Sequence, residues 1–167
     1  MFVRVGLNRE IDGSVHAYTA LRIDELWLDG IDFTDLKSAK QAVLGEFDGW
    51  DGTLRALVAD ADAMVPRRIH ALPVGHRWDR IAGVTLVGDA AHLMSPFAGE
   101  GANLAMLDGA ELALAIVKHP GDQEAALAAY EEALFPRSEK SAGESAANLS
   151  MMFGDDGLRG VLDTFQA

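Results

Sequence analysis

The stretch Gly83-Val-Thr-Leu-Val-Gly-Asp-Ala-Ala-His-Leu-Met-Ser-Pro-Phe-Ala-Gly-Glu-Gly-Ala-Asn103 decides how this sequence is read. Val84 to Val87 is a compact apolar run that predicts a buried strand, and Gly88-Asp89 ends it. Such a strand delivers the carboxylate of Asp89 at its carboxyl end, the side on which α/β units bind their ligands. Ala90 and Ala91 are small enough to let a ligand approach the backbone. Pro96 stiffens the loop that follows, and Gly99 and Gly101 remove side chains just before a helix begins. The unpaired amides and positive dipole end of that helix then face whatever lies there. Asn103 adds a side-chain amide within the first turn. A site of this kind wants a ligand with hydroxyls near Asp89 and partial negative charge near the helix.

Downstream, Gly101 to Val117 is rich in Ala, Leu and Met and predicts a long helix, with Lys118 and His119 at its negative end and Pro120 stopping it. Asp122 is placed to cap a further helix with the apolar stripe Leu127, Tyr130 and Leu134, kinked at Pro136 and resuming through Asn148. A last helix is expected around Leu158, Val161, Leu162 and Phe165. Upstream, Val3, Val5 and Leu7 alternate with polar residues, and Asp12-Gly13 signals a hairpin. Val15 to Ile23 continues as the second strand. Thr34 reads as the cap of a helix carrying Leu36, Ala39, Lys40, Val43, Leu44 and Phe47 and broken by Gly49. A short helix with Leu54, Leu57, Val58 and Ala61 follows. Val65 to Leu72 reads as a strand returning to the sheet.

Composition narrows the function classes. Of 167 residues 49% are hydrophobic, enough for a compact domain, and the formal net charge is −12 from 26 acidic and 14 basic groups. A nucleic-acid binder needs a basic surface to displace counterions, and an anionic membrane repels this chain for the same reason. No cysteine is present, so disulfides, thiolate metal sites and cysteine nucleophiles do not arise. Histidines 16, 70, 76, 92 and 119 show no clustered ligand spacing. No stretch reaches the ~18 apolar residues of a membrane span. The chain is expected to be cytoplasmic.

The GDAAH segment followed by Pro96 and then Gly99-Glu-Gly-Ala-Asn103 resembles the second flavin-binding motif of the class A flavoprotein monooxygenases. These include the aromatic hydroxylases and the tetracycline-inactivating monooxygenases. The resemblance implies an FAD cofactor, NAD(P)H as co-substrate and an aromatic or polycyclic substrate. It implies that Gly88 and Asp89 meet the ribityl chain, that Pro96 lies beside the isoalloxazine, and that Gly99, Gly101, Ala102 and Asn103 meet the pyrimidine edge. Tyr130-Glu-Glu132 and Pro136-Arg137 resemble the helix after the motif, and Leu149 to Phe165 is similar to the C-terminal helices of the tetracycline-inactivating branch. The family's G-x-G-x-x-G turn, which binds the FAD pyrophosphate, does not occur here. The N-terminal half of such an enzyme is therefore expected to be missing, and FAD to bind this chain alone weakly.

The implied fold is α/β (α+β), a partial FAD/NAD(P)-binding-type fold. Its parts are a substrate-domain sheet with helices over 1–80, the second half of an FAD-binding domain over 81–120 and C-terminal helices over 121–167. No protein group is assigned as catalytic, because the flavin supplies the oxygen-transfer chemistry. Asp89 taken alone could be a helix cap or a solvated carboxylate. His92 reads as a packing and hydrogen-bonding residue rather than a general base. Arg4, His16, Tyr18 and Arg22 share strand faces that look to solvent or to a substrate, as do Arg67, Arg68 and His70 on the return strand. Met151, Met152 and Phe153 belong to a core or to a pocket. Two other readings stand beside the monooxygenase. One is a non-catalytic fragment or half-enzyme that forms a homodimer or joins a separate FAD-binding polypeptide; the other is a module for a small apolar ligand.

Overall fold

The computed structural model describes residues 3–154 and Arg159. The chain divides into two compact units, Met1–Arg68 and Ile69–Ala167. The helix expected around Leu158 to Phe165 lies outside the described residues.

The first unit opens with an antiparallel hairpin of β1 (Val3–Arg9) and β2 (Val15–Leu21), in a register that pairs Leu7 with Ala17. Asp12 accepts the Ser14 amide at 2.9 Å and Gly13 takes φ +87°, the left-handed conformation a glycine adopts most readily. Burial along β2 does not alternate between faces; it rises on both faces toward Leu21. Three helices follow, α1 (Glu25–Asp29), α2 (Leu36–Gly45) and α3 (Gly52–Ala59). Each begins on an aspartate, Asp24, Asp35 or Asp51, whose carboxylate accepts backbone amides of the first turn. The cap of α2 is thus Asp35 and not Thr34, because the Thr34 amide and hydroxyl are both taken by Asp32 at 2.9 and 2.6 Å. Val43, Phe47 and Val58 form the core of this unit, with Leu21, Trp27 and Trp50 packed against them.

The strand expected over Val65 to Leu72 is not present: among the described residues the only sheet is the β1–β2 hairpin. Pro66 withholds a ladder donor, and Val65 and Ile69 are exposed. Arg68 is committed to α1 instead, paired with Glu25 at 2.5 Å and with Asp29. His16 pairs with Glu10 at 3.2 Å, and Tyr18 and His70 are exposed.

The second unit is helical. It holds α4 (Asp89–His92), a 3-10 turn over Pro96–Ala98, α5 (Gly101–Lys118) and α6 (Gln123–Phe153). Asp122 caps α6 by accepting the Ala125 amide at 3.0 Å. The helix continues through Pro136 to Phe153. Proline leaves the carbonyl of Glu132 without its usual donor, but Glu132 and Pro136 are both exposed and water can satisfy it. Ala91, Ala115, Ala126, Tyr130 and Leu134 make the core, with Trp78 and Phe135 packed against it and edge to face with each other at 4.9 Å. Among the described residues no helix is long and apolar enough to cross a membrane.

Residues 84–87 are not a buried strand. They form no ladder beyond an isolated Ile81–Val84 bridge, and Val84 and Val87 are 52% and 43% exposed. A strand needs a neighbour, and no described segment lies alongside this one to pair with it.

Candidate functional site

The segment from Thr85 to Asn103 is laid along α6, whose side chains supply the hydrogen bonds that a neighbouring strand would otherwise give. Tyr130 donates its hydroxyl to the Leu86 carbonyl at 3.2 Å. One oxygen of buried Glu131 accepts from Thr85 at 2.7 Å and from Trp78 and Arg80 at 3.1 Å each. Ser95 and Ser145 bond hydroxyl to hydroxyl at 2.6 Å, and Ser145 also donates to the Ser95 carbonyl. Asn148 donates to the Phe97 carbonyl at 3.1 Å, and Phe97 and Phe153 stack edge to face. From Glu131 to Asn148 this row of anchors covers about 25 Å at the helical rise of 1.5 Å per residue.

Asp89 is the first residue of α4 and is exposed; no hydrogen bond within the described residues engages its carboxylate. Gly88 before it is buried, with φ +60° and ψ −139°, a conformation that favours glycine. A Cβ there would stand 3.2 Å from the Ala105 Cβ, so Gly88 sits directly against α5. Pro96, Ala102 and Asn103 are exposed, and a Cβ on Gly99 or Gly101 would meet nothing within 4 Å. Gly99 takes φ +72° and turns the chain into α5.

The start of α5 differs from the other helices of five residues or more. Those four are each capped by an aspartate side chain, whereas Glu100 at the head of α5 makes no capping bond. The amides of Gly101, Ala102 and Asn103 therefore lack a side-chain acceptor at the open side of the loop. An exposed carboxylate such as Asp89 can accept from hydroxyls, and uncapped first-turn amides such as those of Gly101, Ala102 and Asn103 can stabilise negative charge. The donor set fits the ribityl chain and pyrimidine edge of a flavin.

Beneath this surface lies a buried ionic cluster that sequence reasoning did not find. Asp108 of α5, 0% exposed, accepts from the Gly88 amide at 2.8 Å, His92 Nε2 at 2.7 Å and Arg137 at 2.8 Å. Arg137 also pairs with Glu111, one turn further along α5. Burial alone would lower the Arg137 pKa, but Glu111 and Asp108 more than offset it and leave it raised. Tyr130 is pushed well above the ordinary phenol range, first by burial and then by the charge of Asp108. His92 Nε2–H faces the carboxylate, and the buried Nδ1 has no partner. His92 is thus a buried hydrogen-bonding residue. The signal for Asp108 was in the sequence: it falls four residues after Leu104 and seven before Ala115, a charge on the helix face those apolar residues bury.

Residues 73–145 match the family described as FAD binding domain. The chain is 37% identical over 120 residues to a monooxygenase of Penicillium thymicola, a match covering 65% of this chain and 28% of that protein. It is 41% identical over 99 residues to a kynurenine 3-monooxygenase of Salinispora arenicola, covering 53% of this chain and 22% of that protein. An FAD-dependent urate hydroxylase of Mycolicibacterium vanbaalenii is 34% identical, covering 62% and 26%. The chain thus spans about a quarter of the length of these relatives. The fold is that of Klebsiella pneumoniae HpxO, solved in complex with FAD and uric acid: TM-score 0.78 at 24% identity, over 98% of this chain and 41% of that one. Residues 73–145 thus carry the FAD binding domain match, the chain is similar in sequence to FAD-dependent monooxygenases over about a quarter of their length, and its fold is that of HpxO.

Proposed function

We propose that this chain supplies the ribityl and pyrimidine side of the FAD site in a monooxygenase that hydroxylates an aromatic or polycyclic substrate with NAD(P)H and dioxygen. The observation that carries the reading is the uncapped N-terminus of α5, open beside Gly99 and Gly101, on the same loop as the exposed Asp89 carboxylate. Asp89 accepts hydrogen bonds from the ribityl hydroxyls. Pro96 limits the space beside the ring system, and the amides of Gly101, Ala102 and Asn103 hold its pyrimidine edge. FAD, when bound, supplies the redox and oxygen-transfer chemistry; the chain's own groups bind and orient it. Residues 81–120 act as one half of the FAD-binding domain.

A charge-assisted hydrogen bond contributes about 1.5–3 kcal/mol, so Asp89→Ala should weaken FAD binding by about 10- to 150-fold. FAD titration followed by amide shifts of residues 88–103 reports weak as well as tight binding. Equal affinity of wild type and variant would remove Asp89 from the site.

A second reading concerns partners. The outward face of α5 carries Met106, Leu107, Leu114 and Val117 at helical spacing, all exposed, in a helix whose opposite face is the buried one. An apolar stripe of this kind marks an association surface. We assign it to a second polypeptide, either another copy of this chain or a separate FAD-binding one.

A further inference from the structure

Asp108 does more than fill a position in the core. Its three donors come from three segments: the Gly88 amide before α4, His92 at the end of α4, and Arg137 on α6. Gly88 and His92 bracket the turn that presents Asp89. One carboxylate oxygen, Oδ2, receives both of them, at 2.8 and 2.7 Å. The other, Oδ1, faces the Arg137 guanidinium, which keeps the buried charge paired. Asp108 also lies on the helix whose first turn carries Gly101, Ala102 and Asn103, about 10 Å along the axis from Gly101. A single helix therefore sets both parts of the site, directly through its own N-terminus and indirectly through Asp108 and α4.

We propose that Asp108 is a positioning residue for the flavin site: by holding Gly88 and His92 on one carboxylate oxygen, it fixes the Asp89 carboxylate relative to the N-terminal amides of α5. The inference rests on the FAD reading above. Packing alone does not account for it, since leucine has the same side-chain branching and heavy-atom count and makes apolar contacts better, but carries no acceptor. Among the described residues, the hydrogen bond from the Gly88 amide and the one at His92 Nε2 both go to Asp108, whose neighbours are otherwise engaged. Arg137 and His92 offer N–H groups, Glu111 is occupied by Arg137, and Tyr130 donates to Leu86.

The test compares Asp108→Leu and Asp108→Asn in the full chain, with amide hydrogen exchange and FAD titration read in parallel. In Asp108→Leu the Gly88 amide has no acceptor and should exchange about tenfold faster or more, while the Leu134 amide in α6 is unchanged. Asparagine keeps one oxygen and should restore part of the protection; it also serves if the leucine variant does not fold. FAD affinity should fall in the same order, leucine more than asparagine. The proposal is overturned if Gly88 exchange in the variants stays within about twofold of wild type, or accelerates no more than Leu134 does. It is also overturned if Asp108→Leu binds FAD as wild type does while Asp89→Ala weakens it. If Asp89→Ala itself has no effect, the FAD reading fails, and Gly88 exchange alone then decides whether the clamp exists.

Discussion

Replacing Glu131 by alanine removes the acceptor for three donors at once, and the structure allows the cost to be worked out. Glu131 is 4% exposed, and its Oε1 receives Trp78, Arg80 and Thr85. The neutral bonds from Trp78 and Thr85 contribute about 0.5–1.5 kcal/mol each. Arg80 is 26% exposed and keeps Glu124 at 3.1 Å, so its charged bond falls at the low end of the usual 1.5–3 kcal/mol. Alanine should therefore cost about 3–4 kcal/mol, a large share of the 5–15 kcal/mol by which a typical domain is stable. Glutamine keeps the shape and one carbonyl acceptor, and should cost about 1–2 kcal/mol through the lost charge. Urea unfolding followed by circular dichroism gives both values, provided the m-value is unchanged. Thr85→Val should cost about 1 kcal/mol in the wild type and close to nothing when Glu131 is already alanine. A loss below about 1 kcal/mol for alanine, or equal costs of Thr85→Val in the two backgrounds, would show that Glu131 does not anchor residues 78–85.

Two further outcomes follow from the same geometry. Burial and Asp108 raise the Tyr130 pKa above its ordinary value of 10, so its contribution is complete below pH 10 and is lost as pH rises through 10 toward the folded value; melting temperature between about pH 8 and 11 should fall more steeply in wild type than in Tyr130→Phe, and parallel curves would contradict this. If the partner of the α5 stripe is another copy, association should occur at micromolar concentration, because charge repulsion is screened beyond about 8–10 Å while apolar burial gains about 25 cal/mol per Å²; sedimentation equilibrium should then show a dimer that Leu114→Asp dissociates, and a monomeric wild type would refute the self-association arm and leave the separate polypeptide.

Much of the first unit and of the helical frame was legible in the sequence because it depends on local signals. The hairpin follows from alternation and Asp12-Gly13, and α5 and α6 from composition, Pro120 and the Asp122 cap. The glycine-rich turn into α5 was legible for a related reason: Gly99 takes φ +72° there and Gly101 begins the helix, at the places their spacing along the chain suggests. Val84 to Val87 misled because an apolar run reports burial in some partner, not the presence of that partner in these residues. Val65 to Leu72 misled because strand propensity near Arg67 and Arg68 was weighed without Glu25 and Asp29, some 40 positions earlier. The partners of Asp108, Glu131 and Ser145 were not legible, even where helix position marked Asp108 as buried. Their roles come from contacts 20 to 50 positions apart, which no periodicity encodes.

Those distant contacts explain how a loop without a ladder can hold a defined backbone path. Between Leu86 and Phe97 four backbone atoms are held by side chains of α5 and α6: the Leu86 carbonyl by Tyr130, the Gly88 amide by Asp108, the Ser95 carbonyl by Ser145 and the Phe97 carbonyl by Asn148. That spacing is close to one anchor per three residues, about a third of the density of a strand bonded along one edge. Apolar packing could not do this alone. The core beneath the loop consists mainly of alanines with Tyr130 and Leu134, and apolar contact does not fix direction. Hydrogen bonds do, and each of these also satisfies a polar group that would otherwise be costly to bury. The division of labour is therefore sharp. Side chains that point inward from α5 and α6 are spent on the loop's backbone, and the groups left over, Asp89 and the first amides of α5, are those that face out. A substitution on the inner face of α6 should alter ligand geometry without touching the ligand, whereas one on its exposed face, such as at Glu132, should not.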